Sequence, residues 1–146
     1  GRSYERLHEE IDAASLRFLE ALPVQIEETG LAVYHGSPWN RLDEYIYPTD
    51  DIARFQDTAF TLMLLGHTHH PMHRLAGGVH VVNPGSCGQP RDRNEASFAV
   101  IDTEPLTVSF HRVEYDIQAV LAEVARIDPD HPYLRDVLLR RPVRAA

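Results

Sequence analysis

The stretch from Thr61 to Pro71 constrains this chain more than any other. The run Thr61 to Leu65 is apolar after its first residue and is ended by Gly66, and His67-Thr68-His69-His70-Pro71 follows without a spacer. A short apolar run closed by glycine predicts a β-strand buried on both faces, which belongs in the middle of a sheet. Its carboxyl end then releases chemically capable side chains where open α/β sheets place their ligands. Any fold for the chain has to surround this strand and leave its last residues accessible.

Neighbouring segments supply the surroundings. Ser3 to Leu22 carries Leu7, Ile11, Ala14, Leu16, Phe18, Leu19 and Leu22 at near-helical spacing, which predicts an amphipathic helix capped by Ser3 and stopped by Pro23. Val24 to Glu28, Thr29-Gly30 and Leu31 to Tyr34 read as strand, turn and strand. Asp50 to Asp57 reads as a short helix. Met72 to Leu75 and Val79 to Val82 flank Gly77-Gly78 as a second hairpin. Ala96 to Asp102 and Thr107 to Tyr115 are two more strands, and Ile117 to Ile127 and Tyr133 to Arg140 are helices. No repeat or linker divides the chain, so residues 1–146 read as a single domain of α/β or α+β class with a largely antiparallel second half.

Composition removes several chemistries. The chain has 146 residues, 43% of them hydrophobic and 25% charged, which is a globular balance. A net charge of −8 argues against general nucleic-acid or anionic-membrane binding, and no apolar run approaches the roughly 20 residues of a membrane span. The polar start lacks the basic-then-apolar order of a signal peptide, so a soluble, cytoplasmic protein is expected. All 14 basic residues are arginine, which excludes a Schiff-base or phosphate-loop lysine. A single cysteine, Cys87, excludes an internal disulfide and a cysteine-rich zinc ribbon. A metal site must then use His, Asp, Glu or Asn, and a phosphate clamp must use Arg, backbone N–H or metal.

The histidines carry the argument. In extended chain, His67 and His69 point the same way roughly 6–7 Å apart, a spacing that suits two metal ions with one ligand each. His35, in Tyr34-His35-Gly36-Ser37-Pro38, also follows a strand directly, and the three converge if those strands are sheet neighbours. Three neutral histidines suit one zinc, whereas two dications also need an anionic bridge. Asn83-Pro84-Gly85-Ser86 is either a plain turn or a buttress for the histidine loop. Arg91 either clamps a phosphate or pairs with the adjacent Asp92. His70 and His73 read as solvent-facing or supporting, and His8, His80, His111 and His131 as structural. Trp39, Tyr45 and Tyr47 read first as aromatic core, with a pocket lining over the His35 loop as the alternative.

Val33-Tyr34-His35-Gly36-Ser37-Pro38, Gly66-His67-Thr68-His69-His70-Pro71 and Asn83-Pro84-Gly85-Ser86-Cys87-Gly88-Gln89-Pro90-Arg91, in this order, resemble the calcineurin-like metallophosphoesterases, in particular the small bacterial and archaeal phosphodiesterase branch. Val113-Glu114-Tyr115-Asp116 extends the likeness, which runs from about Leu16 to Tyr115. The resemblance implies part of a two-sheet β-sandwich flanked by helices, with a dinuclear centre at the sheet ends. It places His35 and His67 on one metal and His69 on the other, with Asn83, Ser86, Arg91 and His70 around metals or substrate. It also implies two divalent ions (Mn, Fe, Ni or Zn) and hydrolysis of phosphodiesters or small phosphomonoesters by in-line attack of hydroxide.

The departure from the family is large. Its Asp-x-His, Gly-Asp and Gly-Asn-His-Asp motifs do not occur here. The chain therefore reads as the C-terminal portion of such a domain, holding the histidine side of the site and inactive alone. The catalytic acid is unknown from these residues and is expected in the N-terminal portion. The chain by itself is expected to hold one metal or none, to take a small phosphorylated substrate, and to be completed by an N-terminal segment or by self-association through an uncovered sheet. The competing readings are a catalytically dead binding or scaffold module and a mononuclear zinc protein.

Overall fold

A computed structural model describes residues 10–130 and 132–139. In chain order it contains α1 (Ala13–Glu20), β1 (Gln25–Glu28), β2 (Leu31–Tyr34), a 3₁₀ helix (Ala53–Asp57), β3 (Leu62–Leu64), β4 (Pro71–Ala76), β5 (Val79–Pro84), β6 (Ala96–Thr103), β7 (Leu106–Val113), α2 (Ile117–Ile127) and α3 (Pro132–Leu139). Five strands form one sheet in the order β1-β2-β3-β5-β4, and β6 pairs with β7 in a second. The class is mixed α/β, as expected. The apolar run of β3 takes the central position, parallel to both β2 and β5. The hairpin partners β1 and β4 are antiparallel and lie on the edges. Pro71 opens edge strand β4, where proline's missing N–H breaks no central ladder.

The pleat sorts the side chains. Ala32, Met63, Leu65, Met72, Val79 and Val81 share one face, and the segment after β2 crosses it to bring Ile46, Ile52 and Phe55 down as a cover. Met63, Val81 and Phe55 are fully buried there. Each such side chain contributes about 1.5–3 kcal/mol relative to exposure, so this face holds the sheet together. The opposite face presents Ile26, Val33, Leu64 and Val82 toward Ala99 and Ile101 of β6. Ser97 ties β6 to the end of β5 by donating to Pro84 O (2.8 Å), but the two sheets leave a groove of ≈ 470 Å³ that reaches His35 and Gly66. Leu64 is accordingly only half-buried. The expectation of a strand covered on both faces is met on one face and half met on the other.

The helices differ from expectation at one end. The chain bends at Ile11, and Asp12 is the N-cap of α1, its Oδ1 accepting from Ala14 N (2.9 Å) and Ser15 N (3.0 Å). A short acceptor side chain one residue before the helix satisfies N–H groups that have no intrahelical partner. Ser3, Leu7 and His8 lie outside the described residues, as does His131. Phe18, Leu19 and Leu22 remain exposed. Asp116 caps α2 in the same way, and α3 buries Val137 and Leu138. Among the described residues no helix is long and apolar enough to cross a membrane.

Candidate active site

Because β2 and β3 are parallel and in register at Val33 and Leu64, their carboxyl ends emerge side by side. Gly66 N donates to His35 O (3.0 Å), carrying the ladder past the strands. A side chain at Gly66 would meet His35 O at 3.3 Å and His35 Nδ1 at 3.4 Å, so glycine suits this close approach. The next residue places its ring on its neighbour's: His35 Nε2 and His67 Nδ1 are 2.9 Å apart, with ring centroids at 4.7 Å. Burial first, then the nearness of His67 and His69, holds His35 below the ordinary histidine pKa, against an opposing pull from Asp43. A neutral imidazole keeps the lone pair that a metal ligand requires.

The backbone here corrects the spacing argument. His67 and His69 have φ of 63° and 59°, the left-handed region, and β3 has already ended at Leu64. Extended chain would have aimed both rings together, whereas left-handed backbone sends them to different partners. For residues with a Cβ this region costs about 1–2 kcal/mol each and persists where surrounding structure enforces it. The enforcing group is Asn83, fully buried at the end of β5. Its Nδ2 donates to Gly66 O (2.6 Å) and Thr68 Oγ1 (3.0 Å), and its Oδ1 accepts from Gly85 N (2.9 Å). The parallel pairing of β3 with β5 puts this amide under the histidine loop.

His69 turns to the loop between β5 and β6, where its Nδ1 lies 2.8 Å from Gln89 O. A carbonyl can only accept, so Nδ1 carries the proton and Nε2 is left as the free lone pair, the usual arrangement of a metal-binding histidine. His35 and His67 face each other, and His69 is turned so that its Nδ1 meets Gln89 O. Among the described residues no three His, Cys, Asp or Glu side chains come together as a metal cage. The donor set fits borderline divalent ions bound at open positions, but it is entirely neutral.

The supporting residues fall into distinct places. Ser86 Oγ accepts from Gln89 N (2.9 Å), so this hydroxyl shapes its own loop. Arg91 N donates to His69 O (3.3 Å), and its guanidinium donates to Gln89 Oε1 and Tyr133 Oη, both at 2.9 Å. Among the described residues the buried Arg91 Nε has no hydrogen-bond partner. Asp92 pairs with Arg112, not with Arg91, which removes the simplest alternative for Arg91. Arg112 comes from β7 to meet Asp92 in the loop before β6. His70 sits edge-on to Tyr47 (5.8 Å), and burial is the largest influence holding its pKa down.

His80, read as structural, faces His73 across the β4–β5 hairpin at 2.9 Å. His111 stacks on Phe98, its cross-strand partner. Trp39, Tyr45 and Tyr47 are 49%, 52% and 39% exposed and so are not core. Tyr45 packs on His67 at 3.9 Å, in keeping with the alternative of a lining near the histidine loops. Cys87 is exposed on the loop that carries Gln89.

Comparison with known proteins matches this geometry to a family. A model of the calcineurin-like phosphoesterase superfamily domain matches residues 7–105. The uncharacterized protein MJ0912 of Methanocaldococcus jannaschii is 32% identical over 135 residues, covering 77% of this chain and 54% of that protein. Phosphodiesterase YfcE of Escherichia coli is 26% identical over 119 residues, covering 80% of this chain and 57% of that protein. The crystal structure of a metallophosphoesterase from Sphaerobacter thermophilus aligns with a TM-score of 0.80 at 28% identity, over 88% of this chain and 62% of that one. That of the hypothetical protein PH1004 from Pyrococcus horikoshii OT3 gives 0.73 at 26%, over 92% and 56%. The chain therefore spans a little over half the length of the curated relatives it matches.

Proposed function

This chain belongs to the calcineurin-like phosphoesterase superfamily, a family of hydrolases, and from that premise we propose that it supplies the histidine side of a divalent-metal centre that hydrolyses small phosphodiesters or phosphomonoesters. The observation that carries the reading is the meeting of His35 and His67 at the ends of adjacent parallel strands. His35 and His67 would hold one ion and His69 a second. Divalent ions bound there supply Lewis acidity toward a phosphoryl oxygen and acidify water.

The chain's own groups do the positioning. Burial keeps His35 neutral, so its lone pair is available near neutral pH. Gln89 O fixes the His69 tautomer, and Asn83 holds the loop in the left-handed turn that separates the two rings. Arg91, anchored through its backbone N–H on His69 O, keeps a cation beside the loop. Because the three histidines are neutral, charge balance for two dications comes from carboxylates on a further segment or a second copy, which also brings the proton donor for the leaving group.

Strained backbone at His67 and His69 favours this reading over a scaffold, which has no use for the strain. Metal analysis and phosphodiester hydrolysis by the natural-length protein test it. Two ions per site, with activity abolished by His67→Ala, are expected. A metal-free protein that hydrolyses equally well with and without His67 would overturn it.

A further inference from the structure

Tyr45 and Tyr47 take no part in the positioning described above, yet they are firmly held. Ile46 between them is only 5% exposed and packs into the core, which turns the residues on either side outward together. Tyr47 N donates to Asp50 Oδ2 (2.7 Å), and Asp50 N returns a bond to Tyr47 O (3.1 Å). The Arg74 guanidinium, reaching across from β4, donates to Pro48 O (3.2 Å) and to Asp50 O. The two phenol rings lie 5.9 Å apart and within 12° of parallel. Tyr45 touches His67 and Tyr47 meets His70 edge-on, and the two phenols remain 52% and 39% exposed.

Scattered exposed hydrophobic residues are ordinary on a protein surface. Two parallel rings fixed by a buried residue between them, an Asp50 turn and an arginine anchor are different. Their order is already established, so a flat ligand landing on them loses little to immobilisation of the site. Their contact with His67 places that flat surface at the candidate metal ligands. Stacking on an aromatic side chain tolerates any planar π-system and gains nothing from an alkyl chain of the same charge.

We propose that Tyr45 and Tyr47 form a stacking platform for a planar aromatic group on the phosphoester, so that the substrate is a small phosphoester bearing an aryl ring or a nucleobase. The inference rests on the phosphoester reading of the site and adds to it the chemistry of the organic substituent.

Calorimetric titration of the natural-length protein with Mn²⁺ present tests both levels separately. The probes are adenosine 5′-monophosphate, phenyl phosphate and ribose 5-phosphate, with inorganic phosphate as competitor. Adenosine monophosphate, phenyl phosphate or both are expected to bind about tenfold more tightly than ribose 5-phosphate, in line with stacking on one aromatic side chain. Benefit to both ligands identifies any flat ring as sufficient, and benefit to the nucleotide alone identifies the base. Tyr47→Leu is expected to bring the preferred ligand to within about threefold of ribose 5-phosphate, whose own affinity stays unchanged, while Tyr47→Phe keeps the preference. Three equal affinities in the unmutated protein, all displaced by phosphate, would overturn the platform and leave the phosphoester reading standing. A preference that survives Tyr47→Leu in a protein of unchanged thermal stability would also overturn it. Failure of all three probes and of phosphate to bind would overturn both.

Discussion

Two pairs of histidines in this molecule make the same contact in very different settings. His35 Nε2 and His67 Nδ1 are 2.9 Å apart, and so are His73 Nε2 and His80 Nδ1. The first pair joins two loops at the carboxyl ends of parallel strands. One of its members has left-handed backbone, and a buried amide clamps that member's loop. The second pair lies within an antiparallel hairpin, where the register (His73 opposite Val82, Leu75 opposite His80) brings the rings together diagonally on ordinary strand backbone. A short nitrogen–nitrogen distance therefore does not mark a site. The mark is the structure that has to be maintained to produce it.

Removing one ring from each pair gives the largest separation. In the natural-length protein, His67→Ala is expected to lower Mn²⁺ affinity by at least about 100-fold, more than the loss of a merely supporting group. His73→Ala is expected to leave it within about threefold, and titration calorimetry reads both. Equal losses would abolish the distinction between the pairs.

The clamp comes next. Asn83→Leu removes one donor from Gly66 O and from Thr68 Oγ1, which keep Thr68 N (2.7 Å) and His70 N (3.4 Å), and takes the side-chain acceptor from Gly85 N, at an expected loss of about 1–2 kcal/mol in urea unfolding. Nothing comparable holds the second pair. Trimming the neighbouring Leu75, 62% exposed, to alanine is expected to shift stability by less than about 0.5 kcal/mol. An Asn83 variant as stable as the parent would show that the loop needs no clamp.

A glycine–alanine comparison inverts between the pairs. At His67, with φ of 63°, glycine is expected to be about 1 kcal/mol more stable than alanine. At His73, within β4, alanine is expected to be more stable than glycine by about 0.5–1 kcal/mol. The same ordering at both positions would mean that the loop relaxes out of the left-handed region.

The smallest effect is shared. Burial is the main cause holding both His35 and His73 below the ordinary value of 6.5, with the partner ring adding to it. The unfolded chain therefore takes up protons first as pH falls, and stability is full above that value and declines through the lower folded-state pKa values. Denaturation midpoints near about pH 7.5 and about pH 5.5 are expected to fall in that order, and His73→Gln to flatten the decline in part. A midpoint that rises on acidification would contradict the sign.

Much of this was legible from residue order. The apolar stretch ending at Gly66 identified the central strand, and the motif after Tyr34 predicted a neighbouring strand end, so the approach of His35 to His67 followed once the two strands were adjacent. The rest depended on where backbone stops being regular. The parallel aim expected of His67 and His69 assumed an extended chain that had ended at Leu64. Asp12 caps the described helix because the chain bends at Ile11, which helical spacing does not show, and Ser3 lies outside the described residues. Asp92 pairs with Arg112 twenty residues away and not with Arg91 beside it, whose guanidinium is taken up by Gln89 and Tyr133. The tyrosines were misread because a loop's burial depends on what crosses over it, and here Ile46 alone goes inward.

Cys87 gives the loop beside His69 a practical property. It is the single thiol in a chain without lysine, it is exposed, and it stands two residues before Gln89. A thiol-directed nitroxide attaches at one place with no side-chain amine to compete for the reagent. The label then rides on the segment that fixes His69, and a paramagnetic ion arriving at that ring announces itself by broadening the label's own spectrum. The protein thus carries a ready-made reporter for occupancy of its candidate centre, independent of any turnover assay.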